Sequence, residues 1–176
     1  MESSADAIRN RVNESGLTTL DLDDLITRKS IVNFDLADCL ENGLILRERP
    51  FREALKALNA EDWNEKVAAL QCSNDAIIPE WAWMLATSRL AACGAEVAIG
   101  NAEEAKQTLL IEAIQQLPLD EFRDARIVIK GCSSGTNAAS LAKAIRHLQP
   151  VAMSIFYGEP CSTVPVYKRP RKPAKN

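Results

Sequence analysis

Five cysteines are the residues of this chain best suited to chemistry: Cys39, Cys72, Cys93, Cys132 and Cys161. An odd number, with no pair at C-x-x-C spacing, reads as thiols or metal ligands rather than as a disulfide framework. Three of them share a local setting. Cys72 follows the run Val67-Ala68-Ala69-Leu70, Cys132 follows Ile127-Val128-Ile129, and Cys161 follows the alternating stretch 151–157. Short β-branched or apolar runs of this kind are the composition of buried strands. Each cysteine therefore stands just past the carboxyl end of a strand. Three thiolates meeting at one sheet edge would suit zinc or iron, completed by Asp75, Glu159 or an exogenous group. Separations of 60 and 29 residues match no linear metal motif, so such a site rests on topology. A second use of the same thiols is nucleophilic, at Cys132 or Cys161. Lys130 lies two residues before Cys132 and a helix N-terminus follows, and both favour thiolate over thiol. The third reading is packing, because cysteine is also a small apolar residue. Cys39, beside Leu36 and Leu40, and Cys93, before Gly94, read that way.

The elements that must position these residues alternate along the chain. Residues 31–34, 67–70, 96–99, 127–129 and 151–157 read as strands, and 164–167 as extended, because Pro165 excludes a helix. Between them lie helical patterns. Pro50 can start a helix over 51–58. Asn74 or Asp75 can cap one that runs to about Ala92, with Pro79 in its first turn and Ile78, Trp81, Leu85, Ser88 and Ala92 on one face. A helix over 102–117 carries Ala105, Leu109, Ala113 and Leu117 until Pro118 stops it, and Glu112 flanks that stripe, either snorkelling or solvated or in a buried pair with a nearby cation. Asn137 opens the periodic segment 138–148. Connections of this length allow crossovers between parallel strands. The fold class is α/β: a three-layer, Rossmann-like sandwich with a mostly parallel sheet of about five strands and helices on both faces. Residues 31–167 form this single domain. Residues 1–30 read as an extension packing on it, with a short helix over 7–13. In that extension, Asp21, Asp23 and Asp24 lack the glycine and distal glutamate of a calcium loop and read as a solvated segment.

Composition bounds the possibilities further. At 176 residues, 47% hydrophobic and 26% charged, the chain reads as one soluble globular domain. No apolar run approaches the roughly 18 residues that span a bilayer. The opening M-E-S-S-A-D-A is acidic and lacks an apolar core, so it reads as no signal peptide, and the cytoplasm, which keeps thiols reduced, is the expected location. The net charge of −3 conceals a basic tail, residues 168–176, with Lys168, Arg169, Arg171, Lys172 and Lys175. Without those five, 16 basic residues face 24 acidic ones. An acidic body argues against nucleic-acid binding, and the proline-bearing tail reads as disordered.

Two motifs near Cys132 fail on inspection. Gly131-Cys132-Ser133-Ser134-Gly135 matches the G-x-S-x-G nucleophile elbow. The only histidine, His147, lies about ten residues along the next helix, or roughly 15 Å away, out of reach of Ser133. The same loop lacks the G-K-[ST] ending and the G-x-G-x-x-G pattern of nucleotide sites. His147 reads instead as a cation near a helix C-terminus.

The blocks N-R-V-N-E-S-G-L-T-T-L-D-L, G-L-I-L-R-E-R-P-F-R-E-A-L, C-S-N-D-A-I-I-P-E-W-A-W-M-L, V-I-K-G-C-S and F-Y-G-E-P-C-S-T-V-P-V-Y-K-R span the chain from about Asn10 to Arg169. Together they resemble the bacterial family named domain of unknown function 2480. The resemblance carries no established activity. It implies an association with iron–sulfur cluster assembly of the sulfur-mobilisation type, and so favours a cysteine site. The family's C-S-N-D-A, G-C-S and G-E-P-C-S-T blocks fall on Cys72, Asp75, Cys132 and Cys161. The leading expectation is a cytosolic accessory factor in iron–sulfur assembly or metal and sulfur handling, partnered by assembly proteins rather than by nucleic acid or membrane. Cys72, Cys132 and Cys161 would be ligands or sulfur acceptors, Asp75 a fourth ligand, and Lys130 an electrostatic helper. The alternatives are an enzyme with a cysteine nucleophile acting on a thioester or persulfide, and a non-catalytic interaction module with packed cysteines.

Overall fold

Alternation of strand and helix is what the chain does. The computed structural model describes residues 16–131, 136–159 and 161–170. It is a mixed α/β protein that divides into two compact units, Ile26–Glu112 in one and Met1–Leu25 with Ala113–Asn176 in the other.

In the 26–112 unit, β2 (Ile31–Asp35), β5 (Val67–Gln71) and β6 (Glu96–Ile99) form an all-parallel sheet in the order β2-β5-β6. The central strand is buried along Val67 to Leu70, as parallel strands covered on both faces require. Alternate residues face opposite ways. Ala68 and Leu70 pack with residues of α1 (Glu48–Lys56), α2 (Ala60–Trp63) and α3 (Glu80–Ala92), while Val67 and Ala69 pack with Ala105 and Leu109 of α4 (Ala102–Gln115). A two-stranded hairpin, β3 (Leu40–Glu41) with β4 (Ile45–Leu46), completes the unit. Arg89 joins two helices: its guanidinium donates to the carbonyls of Leu55 at 2.9 Å and Leu58 at 3.0 Å, which close the end of α1.

The other unit holds a four-stranded sheet in the order β1-β7-β8-β9, from β1 (Leu17–Asp21), β7 (Arg126–Lys130), β8 (Ser154–Glu159) and β9 (Ser162–Lys168). The first three are parallel, with Asp21 opposite Lys130 and Ile129 opposite Tyr157. β9 returns antiparallel, with Glu159 opposite Ser162. Helix α5 (Ala138–Leu148) buries Ser140, Ala144 and Leu148. Lys168 closes β9, and Arg169 binds Asp124 and the Val151 carbonyl.

Several expectations hold and some do not. Strands at 31–34, 67–70, 96–99 and 127–129 and helices at 102–117 and 138–148 are present within a few residues of their expected ends. In place of one sheet of about five strands, the described residues form sheets of four and three strands beside the two-stranded hairpin. Periodicity marks a strand but carries no record of its partner. The segment taken as solvated around Asp21 is a strand and a 3-10 turn, Leu22–Leu25, with Leu20 and Leu22 buried. α3 begins at Glu80, with Pro79 as its cap residue, not at Asn74 or Asp75. A proline disfavours helical backbone in the residue before it, and the Asn74 side chain is committed to Ala76 N–H and the Gly43 carbonyl, each at 3.0 Å. The buried face of α3 is Ala82, Ala86 and Leu90, while Met84 lies outward and Trp81, partly exposed, stands edge-on to Phe51. The helix is apolar nearly all round, so its sequence could not select the buried side. The short helix over 7–13 and residues 171–176 of the tail lie outside the described residues.

Candidate functional site

Ligands of parallel α/β sheets collect at the carboxyl ends of the strands. In the four-stranded sheet that edge is formed by the last residues of β1, β7 and β8: Asp21, Lys130 and Glu159. Parallel register sets Asp21 beside Lys130, and Glu159 lies two residues past Tyr157, the partner of Ile129. The Lys130 ammonium lies 3.2 Å from the Glu159 carboxylate and 3.4 Å from that of Asp21. Hydrogen bonding to Glu159 first, then to Asp21, holds the lysine above its ordinary pKa, so it stays cationic through neutral pH. Two carboxylates thus share one ammonium, and the charge Lys130 could offer a thiol is already matched.

Around this triad the backbone is tightly held. The Tyr157 hydroxyl donates to the Gly131 carbonyl at 3.2 Å, joining β8 to the end of β7. Gly131 is buried, and a Cβ there would meet the Thr136 hydroxyl at 3.0 Å and Leu22 Cβ at 3.2 Å. Thr136 in turn donates to Asp23 at 3.4 Å. Asn137 then caps α5 through a reciprocal pair with Ser140. Gly158, at φ +120°, lets β8 turn toward β9, since a Cβ would lie 2.6 Å from the Ser162 carbonyl oxygen.

The cysteines fall as follows. Cys161 occupies the turn between β8 and β9 and is exposed. Cys132 follows Gly131 in the chain but, like Ser133, lies outside the described residues. Cys72, past the end of β5 in the 26–112 unit, is half-buried, packs against the Leu36 and Phe51 cluster, and donates to the Asn74 side-chain carbonyl at 3.2 Å. Asp75, three residues on, is exposed. Cys93 is buried beside Leu90 and Trp63. Cys39 is half-buried in a 3-10 turn. Burial pushes its thiol pKa up, and the charges of Asp38 and Asp35 add to the effect. The four described cysteines are free thiols. Among the described residues no three His, Cys, Asp or Glu side chains lie close enough to hold a metal ion. His147 contacts the Leu117 carbonyl at 3.1 Å.

Sequence reasoning had Lys130, Glu159 and Cys161 but missed Asp21, Thr136 and Tyr157. Leu-Thr-Thr-Leu-Asp, with apolar residues bracketing two β-branched threonines, was the signal that Asp21 ends a strand.

The arrangement defines an α/β protein with its chemistry-bearing side chains at the carboxyl edge of a parallel sheet. The chain belongs to the DUF2480 family of proteins of unknown function, whose model matches residues 6–169. No curated protein and no solved structure matches it. No helix among the described residues is long and apolar enough to cross a membrane.

Proposed function

We propose that the protein is a cytosolic accessory factor in metal or sulfur handling of the iron–sulfur assembly kind, acting through the thiols of Cys132 and Cys161. The observation that carries this reading is the exposed Cys161 thiol in the turn after Glu159, on the edge where Lys130 binds Glu159 and Asp21. Cys132 follows Gly131 in the chain, two residues after Lys130. The reading treats the sheet as Rossmann-like in one respect, that its carboxyl edge is the working edge. As a sulfur acceptor, a thiolate here attacks the outer sulfur of a donor persulfide. A new S–S bond forms, the donor's S–S bond breaks, the donor leaves as its thiolate, and the proton stays on the transferred sulfur. As ligands, the same thiolates take iron, with carboxylates at hand and the remaining positions filled from outside the protein. Cys72 and Asp75 belong to the 26–112 unit and enter the test as separate variants.

Alkylation mapped by mass spectrometry tests which thiols are working ones. Cys161 and Cys132 should label quickly at neutral pH, take the label through one added sulfur atom after treatment with a small-molecule persulfide, and lose labelling after treatment with ferrous iron. Cys39 and Cys93 should stay slow throughout, as packed thiols do. Cys132 and Cys161 that neither gain a sulfur atom nor lose labelling in the presence of iron would remove the basis for the proposal.

A further inference from the structure

The unit that carries Cys161 also holds an apolar cavity of about 310 Å³ between α5 and the last two strands. Its wall is formed by Ile129, Ile145, Ile155, Phe156, Val164 and Val166, with Leu141, Ala142 and Tyr157 at its margins. Val164 and Val166 are 63% and 51% exposed, although they sit two apart on an edge strand where water-facing positions are ordinarily polar. Pro165 between them lacks an N–H, which blunts this edge against pairing with another strand. That argues against a second copy or a peptide adding to the sheet. Among the described residues no charged side chain lines the cavity, and the Tyr157 hydroxyl at its margin is already committed to the Gly131 carbonyl. Whatever occupies this space has no polar atom to satisfy within it. The volume stands at the lower end of small-ligand pockets, about 300–1,000 Å³. Tyr157 and Val164 bring the cavity toward the strands' carboxyl edge, where a polar head would reach water and the β8–β9 turn.

We infer that this cavity binds an unbranched aliphatic chain of medium length, carried by a fatty acid or an acyl thioester, with its head at the carboxyl edge. The inference does not depend on the thiol chemistry proposed above.

The test is a titration of protein labelled with ¹³C in its isoleucine and valine methyl groups. Hexanoate, octanoate and decanoate form one arm and octanoyl-pantetheine the other, so that free acid and thioester are distinguished. Saturable shifts are expected at Ile129, Ile145, Ile155, Val164 and Val166, and none at the exposed Ile45 and Ile77. Affinity should rise about fourfold for each added methylene that is buried. Ala142→Phe, at an exposed helix position on the margin, should weaken binding at least tenfold with the melting temperature kept. Should that variant fold poorly, Val164→Asp serves the same purpose. Absence of saturable shifts with both acid and thioester, equal shifts at Ile45 and Ile77, or undiminished binding in a folded filled variant would overturn the inference.

Discussion

The cap of α5 offers a sharp test of how this edge is built. The Asn137 side-chain oxygen accepts the Ser140 N–H at 2.9 Å, and the Ser140 hydroxyl accepts the Asn137 N–H at 3.0 Å while donating to the Asn137 carbonyl at 2.8 Å. Ser140 is fully buried, so no water replaces these bonds when one partner is lost. Asn137→Ala removes the acceptor for the first-turn amide and should cost about 1 kcal/mol. Asn137→Asp keeps an acceptor of similar reach and adds a charge favourable to the helix N-terminus, so it should be nearly neutral. Ser140→Ala loses both hydroxyl hydrogen bonds, each worth about 1 kcal/mol, and recovers about 0.5 kcal/mol in helix propensity. Urea unfolding followed by far-UV circular dichroism reads the stability, with the slope expected to be unchanged. Hydrogen exchange at the Ser140 amide reads the same change locally, as roughly a fivefold acceleration for 1 kcal/mol. An Asn137→Ala protein as stable as wild type, or Asn137→Asp as damaging as alanine, would refute the capping argument.

Other perturbations reach the remaining parts of the fold. Asp35 accepts the Ala37 and Ser73 amides at 2.9 and 3.0 Å. Burial raises its pKa, but hydrogen bonds from Ser73 and Ala37 outweigh that and hold the carboxyl below its usual range. Its contribution is therefore present above about pH 4 and is lost as the pH falls through the lower folded-state value. Asp35→Ala should cost about 1 kcal/mol at pH 7, and the gap to wild type in urea titrations should narrow below about pH 4. Cys39, with its thiol pKa pushed up, should reach half-maximal alkylation rate at a higher pH than an unperturbed peptide cysteine; a lower midpoint would contradict its placement. Gly158→Ala should destabilise the protein by about 1–3 kcal/mol, because alanine strains both the +120° backbone and the contact with Ser162; an unchanged unfolding midpoint would show that the turn is built otherwise.

Much of this molecule is legible in its sequence where local chemistry decides the outcome. Ile127-Val128-Ile129 followed by Gly131 and Asn137 announces strand, turn and capped helix, and β7 and α5 are found there. Pro118 ends α4, and the Cys93-Gly94 pair ends α3. What was not legible depends on partners. α3 buries Ala82, Ala86 and Leu90 and exposes Met84, a choice that its nearly even apolar periodicity could not make. The division into two sheets is likewise a matter of which strands pair, and Asp21 looked solvated because its ion pair with Lys130 spans more than a hundred residues. Glu159 and Cys161 could be placed at a strand end, since Gly158 marks the turn. The triad that includes Glu159 and adjoins Cys161 becomes visible only when β1 is recognised as a strand.

The measurement that bears most directly on the proposed function is the iron and sulfane-sulfur content of the protein after anaerobic incubation with ferrous iron and a persulfide donor. Wild type would be compared with Cys132→Ser, Cys161→Ser, Cys72→Ser and, as packing controls, Cys39→Ser and Cys93→Ser. Near-stoichiometric iron or sulfur in wild type, retained by the controls and lost in Cys132→Ser and Cys161→Ser, is the expected result. Wild type that takes up neither, or full retention in both variants, would contradict it.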